Sequence, residues 1–474
     1  MRHPSTLAVA AALALAACAS PRTPDLSLPG AFEAQPGGAG QAVDLDRWWT
    51  AFAEPELSGL VEQALAANTD VRTAAARLQE VRAQRSSAIL SLLPQGDAAG
   101  SARRTETEQL SGAQVSIPGF STSGTSEAYQ ANFNVSWELD LFGRTFAAAR
   151  AANADVAAQR FAYEGTRAAI AAQVADSWFQ ARGLAIQLAD ARETARIQRE
   201  LYDLAGKRAA AGLSASSEPD RIAGDLAQAD AQVAAMEAEL QAQRRALLIL
   251  TGRAAEPTAN IDARASVGTL PPVPSTIPSE LLARRPDIRE AQARVRSAAG
   301  RQDIAERAFL PTFDLTPGIG WSRQEQPGFE SESWNWSIGG TVTQPILSIP
   351  RLLADLKAEN ARAEQAVINY ERTVQTAFGE AEGALVRLDA DRRRVALLRD
   401  GEVRAARAYE AARLGYSRGL TDLQTALSAE QAWRATRTQF TSAQVQALRR
   451  TVQAYRALGG GWNPDRPSPL AKAR

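Results

Sequence analysis

The sequence predicts a mainly α-helical, internally duplicated protein that carries two transmembrane β-hairpins. The duplication shows in residues that recur 207 positions later, among them Tyr202 as Tyr409 and Gly212 as Gly419. Two segments alternate between apolar and polar residues, as strands do, and long stretches carry the heptad pattern of coiled coils. Because a repeat fixes the order of elements, we predict helix, hairpin and long helix pair in each half.

The N-terminus is typical of an exported lipoprotein. A short apolar stretch that ends in small residues predicts a signal peptide at 1–17. It leads into Leu-Ala-Ala-Cys, which resembles the bacterial lipobox, and Cys18 is the only cysteine of the chain. We therefore expect a lipid on Cys18, followed by a lipid-anchored linker at 18–45. Ala19 follows the cysteine, and by resemblance to lipoprotein sorting this favours the outer membrane.

The two hairpins are predicted at about 96–142 and 312–346. From Tyr129 onward, aromatic and aliphatic residues alternate with asparagine, serine and acidic residues, and the second hairpin alternates likewise. This pattern matches transmembrane barrel strands of ~9–11 residues. A sheet packed on a soluble core alternates identically, but no other apolar segment could form that core. We predict that four tryptophans face lipid: Trp137, Trp321, Trp334 and Trp336.

Four strands are too few to close a transmembrane barrel, for which ~8 is the smallest number. Open sheet edges are not viable in lipid, because their backbone groups would stay unpaired. The barrel must therefore be shared between chains. Two chains would give eight strands, and three would give twelve and leave room for a pore. The residues alone do not choose between them.

Long helix pairs are predicted at 145–251 and 351–458. After Arg351, apolar residues follow an unbroken spacing of four and three, which is a heptad seam rich in alanine. At 1.5 Å per residue each outgoing helix would be ~100 Å long. The predicted organisation is a first repeat at 46–251, a linker at 252–284, a second repeat at 285–458 and a tail at 459–474.

Composition excludes most catalytic chemistry. The only histidine is His3, so the chain beyond the signal peptide has no imidazole, and Cys18 is its only thiol. Histidine triads, His/Cys zinc sites and thiol catalysis are excluded, and we expect no enzyme activity, no cofactor and no metal site. Basic and acidic residues number 53 each, which argues against a nucleic-acid partner.

Five short motifs stand out along the chain: Asn68-Thr69-Asp70, the segment 137–144, Arg284-Arg285-Pro286-Asp287-Ile288, Gln344-Pro345-Ile346-Leu347 and the segment 457–462. Taken in order with the duplication, these motifs resemble those of the TolC-type outer-membrane factors, in the lipoprotein branch that serves drug-efflux pumps of the resistance-nodulation-division type. The resemblance covers essentially all of the mature chain. The second strand-to-helix junction departs from it, with Ser348-Ile349-Pro350 in place of the usual Asp/Gly turn.

The resemblance implies a trimer with a twelve-stranded barrel in the outer membrane and a long α-helical coiled-coil tunnel in the periplasm. The homotrimer would be a passive exit duct that docks to a periplasmic adaptor and an inner-membrane efflux pump. The turns of the helix pairs would contact the adaptor, and nearby charged residues would constrict the channel. Here these are the tip residues Gly212, Leu213, Gly419 and Leu420, and the gate candidates Arg418 and Asp422.

Two other functions stay open at this stage. A lipid-tethered, non-conducting coiled-coil scaffold or adaptor would share the helices, although it would not need tryptophan-rich strand faces. An exit channel for protein secretion would share the whole architecture. The lipobox favours drug efflux, because protein-secretion channels of this family usually lack it.

Overall fold

The computed structural model describes residues 27–33, 44–108, 124–212, 215–272, 277–326, 328–418, 420–421 and 423–463. Contacts between residues divide the chain into two units. The strand unit contains Gln79–Ala158 and Gln292–Tyr370. The helical unit contains Asp25–Leu78, Gln159–Ala291 and Glu371–Arg474. Each half of the sequence therefore contributes to both units.

The elements follow the predicted order in each half. A 3-10 helix at Leu45–Phe52 precedes the first half. Its elements are α1 (Pro55–Ala67), α2 (Thr69–Leu90), β1 (Gln95–Thr107), β2 (Gly124–Glu138), α3 (Arg144–Ala210) and α4 (Glu218–Leu250). Two 3-10 turns, Thr258–Asn260 and Pro278–Glu280, lie in the connection. The second half has α5 (Leu281–Arg284), α6 (Pro286–Arg307), β3 (Thr312–Gln326), β4 (Phe329–Thr343), α7 (Ile349–Ser417) and α8 (Leu423–Ala457).

The four strands form one antiparallel sheet in the order β1-β2-β3-β4. The first strand, which the sequence suggests only around Asp97 to Arg104, pairs with β2 along its whole length. Pro317 does not interrupt β3, because it stays paired with Ile338 of β4. Its effect falls on the ladder with β2, because Val135 and Ser136 of β2 have no paired residue on β3. A proline lacks the N–H that a ladder between central strands requires.

Local sequence explains where the helices start and stop. Asn68 caps α2, because its side-chain oxygen accepts hydrogen bonds from the N–H groups of Asp70 (2.8 Å) and Val71 (3.3 Å). Its amide nitrogen donates to the carbonyl oxygen of Leu250 (3.0 Å), which ties the end of α4 to the same point. Gly212 follows α3 with φ +72°, a conformation that favours glycine just after a helix.

The core of the helical unit is aromatic. Trp48 and Tyr455 are fully buried with ring centroids 5.9 Å apart, and Phe52 packs on Phe179 at 4.9 Å. The hydroxyl of Tyr455 donates to the carbonyl oxygen of Pro272 (2.7 Å), and burial raises the pKa of this phenol to about 12. Aromatic side chains therefore hold the 3-10 helix, α3 and α8 together, and they surround the hydrogen-bonded hydroxyl of Tyr455.

The heptad seam of α7 is buried along most of its length in the helical unit. Val374, Ala377, Ala381, Ala384 and Leu388 are all less than a tenth exposed. Alanine at these positions permits close helix contact, and glycine permits it elsewhere. Gly183 of α3 lies so close to Val445 of α8 that an added Cβ would stand 2.8 Å from its methyl carbon. Among the described helices, none is long and apolar enough to cross a membrane.

Candidate functional site

The sheet has one apolar face that runs across all four strands. Ala98, Phe133, Ile319 and Trp336 are paired in turn from β1 to β4, so their side chains share one row on one face. The next row toward the start of β4 is also apolar, and Trp334 and Trp336 are 74% and 79% exposed. The apolar residues that the sequence assigns to one face therefore do lie together. That row contains Gly100, Ala131, Trp321 and Trp334.

The opposite face is small, polar and nearly uncharged at its centre. Asn132, Gly320 and Asn335 form one row, and the oxygens of both asparagine side chains lie over the glycine. The hydroxyls of Ser322 and Ser333 are hydrogen-bonded across the strands at 2.9 Å. This face presents amide and hydroxyl groups that water can solvate, so it suits the wall of an aqueous channel.

The four tryptophans predicted to face lipid differ in their surroundings. Trp334 and Trp336 project freely, whereas Trp321 and Trp137 are half-buried. The indole N–H of Trp321 donates to Glu332 (2.8 Å), and that of Trp137 donates to the carbonyl oxygen of Leu92 (3.0 Å). Leu92 lies just beyond α2, so Trp137 stands at the base of the sheet. Such indoles, apolar on one side and hydrogen-bonded on the other, are typical of a membrane interface.

The contacts at the junction between β2 and α3 explain why the segment 137–144, one of the motifs that resemble the family, has these residues. Glu138 and Arg144 form a bidentate ion pair with a shortest distance of 2.6 Å. Asp140 caps the helix, because its side chain accepts from the N–H of Phe146 (2.9 Å). Gly143 has φ +75°, and an added Cβ would lie 2.5 Å from the Arg307 guanidinium. The turn therefore favours glycine for its backbone conformation, while the guanidinium, at the end of a flexible side chain, could move aside.

At the far ends of the helix pairs, the structure describes only part of the predicted tip. Leu420 is 77% exposed, and its N–H donates to the carbonyl oxygen of Gly415 (2.8 Å). Arg418 is exposed at the end of α7. Leu213, Gly419 and Asp422 lie outside the described residues, so no Arg418–Asp422 pair is assigned.

A polar cluster that the sequence did not reveal joins α3 to α8 in the helical unit. Asp190 of α3 forms an ion pair with Arg437 (3.0 Å), and Arg434 donates to Thr194 (2.5 Å). Arg434 is also paired with the buried Glu430 at 2.8 Å. Burial raises the pKa of Asp190, although Arg437 and Arg434 act in the opposite direction. These residues are far apart in sequence, so no local pattern could indicate their contact.

The arginine-containing motif at 284–288, which resembles the family, includes a buried guanidinium. The side chain of Arg285 is 9% exposed and pairs with Asp287 (2.6 Å) and Glu380 (2.7 Å). It also donates to the carbonyl oxygen of Ala457 at the end of α8 (3.1 Å). Burial lowers its pKa, but the hydrogen bonds and charges of the two carboxylates outweigh that effect and raise it. Gly459, with φ +81°, packs directly against the Arg284 carbonyl.

The predicted lipidation residue, Cys18, lies outside the described residues. The nearest described part of the linker is 27–33, which belongs to the helical unit. There Phe32 is buried and stacks on Phe378 of α7, with ring centroids 5.9 Å apart and an interplanar angle of 10°. The N–H of Glu33 donates to Glu382 (3.2 Å). The linker is therefore fastened to α7 on the C-terminal side of Cys18.

Comparison with known proteins gives consistent matches along the chain. A family model described as outer membrane efflux protein matches residues 60–253 and 277–460. The pyoverdine export outer membrane protein OpmQ of Pseudomonas putida is 30% identical over 462 residues, covering 96% of this chain and 97% of OpmQ. The cation efflux system protein CusC of Escherichia coli O6:H1 is 28% identical over 469 residues, covering 95% and 97%. The open state of the Neisseria gonorrhoeae MtrE outer membrane channel aligns with a TM-score of 0.80 at 26% identity, covering 94% and 98%.

These likenesses confirm the predicted fold class, a mainly α-helical channel architecture with duplicated strands and long helices. They also confirm the predicted resemblance to TolC-type factors and the location in the outer membrane. The function is that of an exit channel of an efflux system, which favours efflux over a non-conducting scaffold. The chain belongs to the outer membrane efflux protein family.

Proposed function

We propose that three copies of this chain close one twelve-stranded barrel and one helical tunnel, through which small molecules pass passively to the exterior. The observation that carries this proposal is the open four-stranded sheet, apolar on one face and polar on the other. Among the described residues, the outer edges of β1 and β4 pair with no further strand. Lipid does not tolerate such edges, and repeated copies would remove them.

The height of the apolar face is close to that of an outer-membrane apolar band. Its rows run along β4 from Trp334 to Val342, eight residues apart. At ~3.4 Å per residue this is ~27 Å along the strand, or roughly 20 Å after a tilt of ~35–45°. The apolar band of outer-membrane barrels is ~25 Å tall. Above Trp334 the same face becomes charged, with Glu332, Arg323 and Glu330 next in order.

The cargo is a small molecule whose class the family leaves open. The matched relatives carry names as different as pyoverdine export and cation efflux. The polar face of this sheet is lined by amide and hydroxyl groups with few charges at its centre. Such a lining suits a channel that admits small molecules of different chemical classes. We assign drugs and comparable small solutes as cargo. A proton-driven inner-membrane pump would then deliver the cargo, and a periplasmic adaptor would link pump and channel.

The first test of the pore is electrical. Purified protein in a planar bilayer should give stepwise conductance from a heat-modifiable trimer, because a closed polar lumen conducts ions. We place the resting constriction at Arg418 and Asp422, three-fold repeated, so Asp422→Ala should raise the passive leak. A trimer that never conducts would overturn the pore. Wild-type leak in Asp422→Ala would remove only this residue from the gate.

The lipid on Cys18 is a second anchor rather than the main one. One acyl chain contributes ~0.8 kcal/mol per buried CH₂ and anchors only modestly, whereas the strand face supplies a continuous apolar band. Cys18→Ser should abolish incorporation of labelled palmitate and lower assembly efficiency, while the protein stays in the outer membrane. Recovery of Cys18→Ser as a stable soluble monomer would contradict the membrane role of the sheet.

The helix-pair turns are the adaptor contact. Leu213→Asp combined with Leu420→Asp should abolish crosslinking to the adaptor and drug resistance without loss of the trimer, because buried carboxylates would replace apolar contacts. Thr421→Asp is the control for the second turn, since it adds one carboxylate, as Leu420→Asp does, to an exposed residue beside Leu420 and leaves both leucines in place. Equal loss in the control would mean that charge alone disrupts docking. Undiminished crosslinking in the double variant would exclude the leucines.

A further inference from the structure

The duplication is visible in the contacts of the chain as well as in its sequence. α6 begins and ends 217 residues after α2, and α7 ends 207 residues after α3. In the first half, the side chain of Asn68 donates to the carbonyl oxygen of Leu250 (3.0 Å). In the second half, their counterparts make the same contact, because Arg285 donates to the carbonyl oxygen of Ala457 (3.1 Å). A contact made once in the chain therefore indicates where its counterpart would form.

One contact joins the two halves of the chain, where α6 of the second half packs on α3 of the first. Asp155 of α3 accepts a hydrogen bond from the hydroxyl of Ser297 (2.6 Å) and forms an ion pair with Arg301 (3.0 Å). Gly300 of α6 lies so close to Ala151 of α3 that an added Cβ would stand 2.9 Å from the Ala151 Cβ. The α6–α3 contact is thus closely packed, with the acid on the long helix and the base on the shorter one.

The counterpart of this contact is open within the chain. On α7, the counterparts of Ala151 and Asp155 are Ala358 and Arg362, and on α2 those of Ser297 and Gly300 are Glu80 and Ala83. All four counterparts are exposed. Among the described residues, Glu80 forms no ion pair and accepts one hydrogen bond, from Gln84 (3.2 Å). Both faces of an α2–α7 contact are therefore present, and the chain does not bring them together.

The charges of the two contacts have opposite order. Asp155 on a long helix meets Arg301 on α6, whereas Arg362 on a long helix would meet Glu80 on α2. If α2 took the place of α6 on α3, Glu80 would meet Asp155. If α6 took the place of α2 on α7, Arg301 would meet Arg362. Like charges in contact disfavour both wrong pairings, so the charges determine which helices meet.

We infer that α2 of one copy docks on α7 of a neighbouring copy, with Glu80 paired to Arg362 and Ala83 packed against Ala358. The inference rests on the proposed trimer. A contact that joins the second half of a chain to its first half has, in a ring of copies, a counterpart that joins the first half of one copy to the second half of the next. Each junction between copies would therefore contain one α2–α7 contact.

The residues at this contact are compatible in size and in hydrogen bonding. Ala83 carries the Cβ that Gly300 lacks, so α2 and α7 must stand slightly further apart than α6 and α3. Arg362 and Glu80 have longer side chains than the aspartate and serine of the α6–α3 contact, so they can span that gap. Arg362 is 66% exposed and already pairs with Glu359 of its own helix. A guanidinium has five N–H donors, so it can bind a second carboxylate.

A second ion pair of the α6–α3 contact has no charged equivalent. Arg150 of α3 pairs with Asp303 of α6 at 2.9 Å. Their counterparts are Lys357 of α7 and Ser86 of α2, which keep a donor and an acceptor but lose one charge. Selection between the two contacts is therefore assigned to the Glu80–Arg362 pair.

A disulfide reporter tests which helices meet. Ala83→Cys and Ala358→Cys are combined in the full-length protein in outer membranes, and single-cysteine variants give the background, since Cys18 is the only native cysteine. Mild oxidation should give covalent dimers and trimers after denaturation without reductant. Ala76→Cys with Ala358→Cys is the matched control and should give none. Ala76 is exposed like Ala83 but lies two turns away, ~10 Å along α2, beyond the reach of a disulfide.

Charge reversal tests the assigned pair. Glu80→Arg or Arg362→Glu, each added to the Ala83→Cys, Ala358→Cys reporter, should slow the interchain disulfide about fivefold, because an attraction between exposed charges becomes a repulsion. The double reversal, Glu80→Arg with Arg362→Glu, should restore most of the rate. Arg301→Glu is the matched control, since it reverses a charge of the α6–α3 contact instead and should change the rate less than about twofold.

Each negative result has its own meaning. Unchanged rates in both single reversals, or a double reversal as slow as either single one, would overturn the charge pairing. Equal slowing by Arg301→Glu would overturn it too, because the charges would then act through the fold of each chain. Trimer bands without an interchain disulfide would overturn the docking of α2 on α7 and leave the trimer in place. Absence of trimer bands from the unmodified protein would overturn both this inference and the proposed function.

Discussion

Trp336→Arg is expected to abolish assembly of the trimer in the outer membrane. Trp336 is 79% exposed and lies in the second of the five apolar rows between Trp334 and Val342, paired with Ile319 of β3. A cation on the lipid side costs ~2–4 kcal/mol near the membrane midplane and less toward the interface, and a trimer would bear that cost three times. Heat-modifiable trimer bands in isolated outer membranes measure the effect, and they should be lost while unassembled chain accumulates.

Ser337→Arg provides the control at the next residue. Ser337 is paired with Gly318 on the polar face, which we assign to the lumen. The long arginine side chain would project into water there, so the trimer should assemble and its conductance should change instead. If Trp336→Arg and Ser337→Arg are tolerated equally, the alternation of the strands marks no lipid boundary, and the transmembrane role of the sheet would be wrong.

The two faces of the sheet could be predicted from sequence because the side-chain period of a strand is two. Once the strand at Trp334–Val342 is recognised, the face of each residue follows without knowledge of its neighbours. The register does not follow, since it depends on which residues of different strands meet. The row that joins Ala98 to Trp336 spans more than two hundred residues of sequence, and only the structure supplies it.

Strand β1 has the weakest strand pattern in the sequence, and it also depends on contacts that a single strand does not reveal. Its residues are small or charged, and its interior lacks the bulky apolar residues that usually identify a strand. It is nevertheless paired residue by residue with β2, because the partner strand supplies the bulky side chains. The ring of Phe133 lies over Gly96 at 3.1 Å from where a Cβ would stand. Strand formation at β1 is thus a property of the pair.

The functional residues also fall into two groups, those that a local motif indicates and those whose contacts join distant parts of the sequence. Cys18, the turn glycines and the leucines beside them were found from local motifs, and their roles remain predictions. The contacts of Asp190 with Arg437 and of Phe32 with Phe378 were missed, because they join residues hundreds of positions apart. From sequence, the segment 284–288 is recognised only by its resemblance to the family. The buried guanidinium of Arg285 gives the physical reason for this motif.

Arg285→Met is expected to lower the free energy of unfolding of the helical unit by about 2–4 kcal/mol. The guanidinium joins three elements, because it binds Asp287 of α6, Glu380 of α7 and the carbonyl of Ala457 at the end of α8. Both carboxylates are about half exposed, so water can solvate them after the change and limits the loss. The carbonyl, in contrast, would lose a buried donor. Denaturant unfolding followed by helical circular dichroism measures the difference.

Two further variants separate the geometry of the guanidinium from its charge. Arg285→Lys keeps the charge but cannot present two parallel N–H groups, so its stability should fall between those of the wild type and Arg285→Met. Arg264→Met removes an arginine that is 70% exposed and paired at the surface, and it should leave the unfolding midpoint unchanged. A methionine variant as stable as the wild type would mean that desolvation of Arg285 cancels its bonds. The arginine would then specify which helices meet without stabilising their contact.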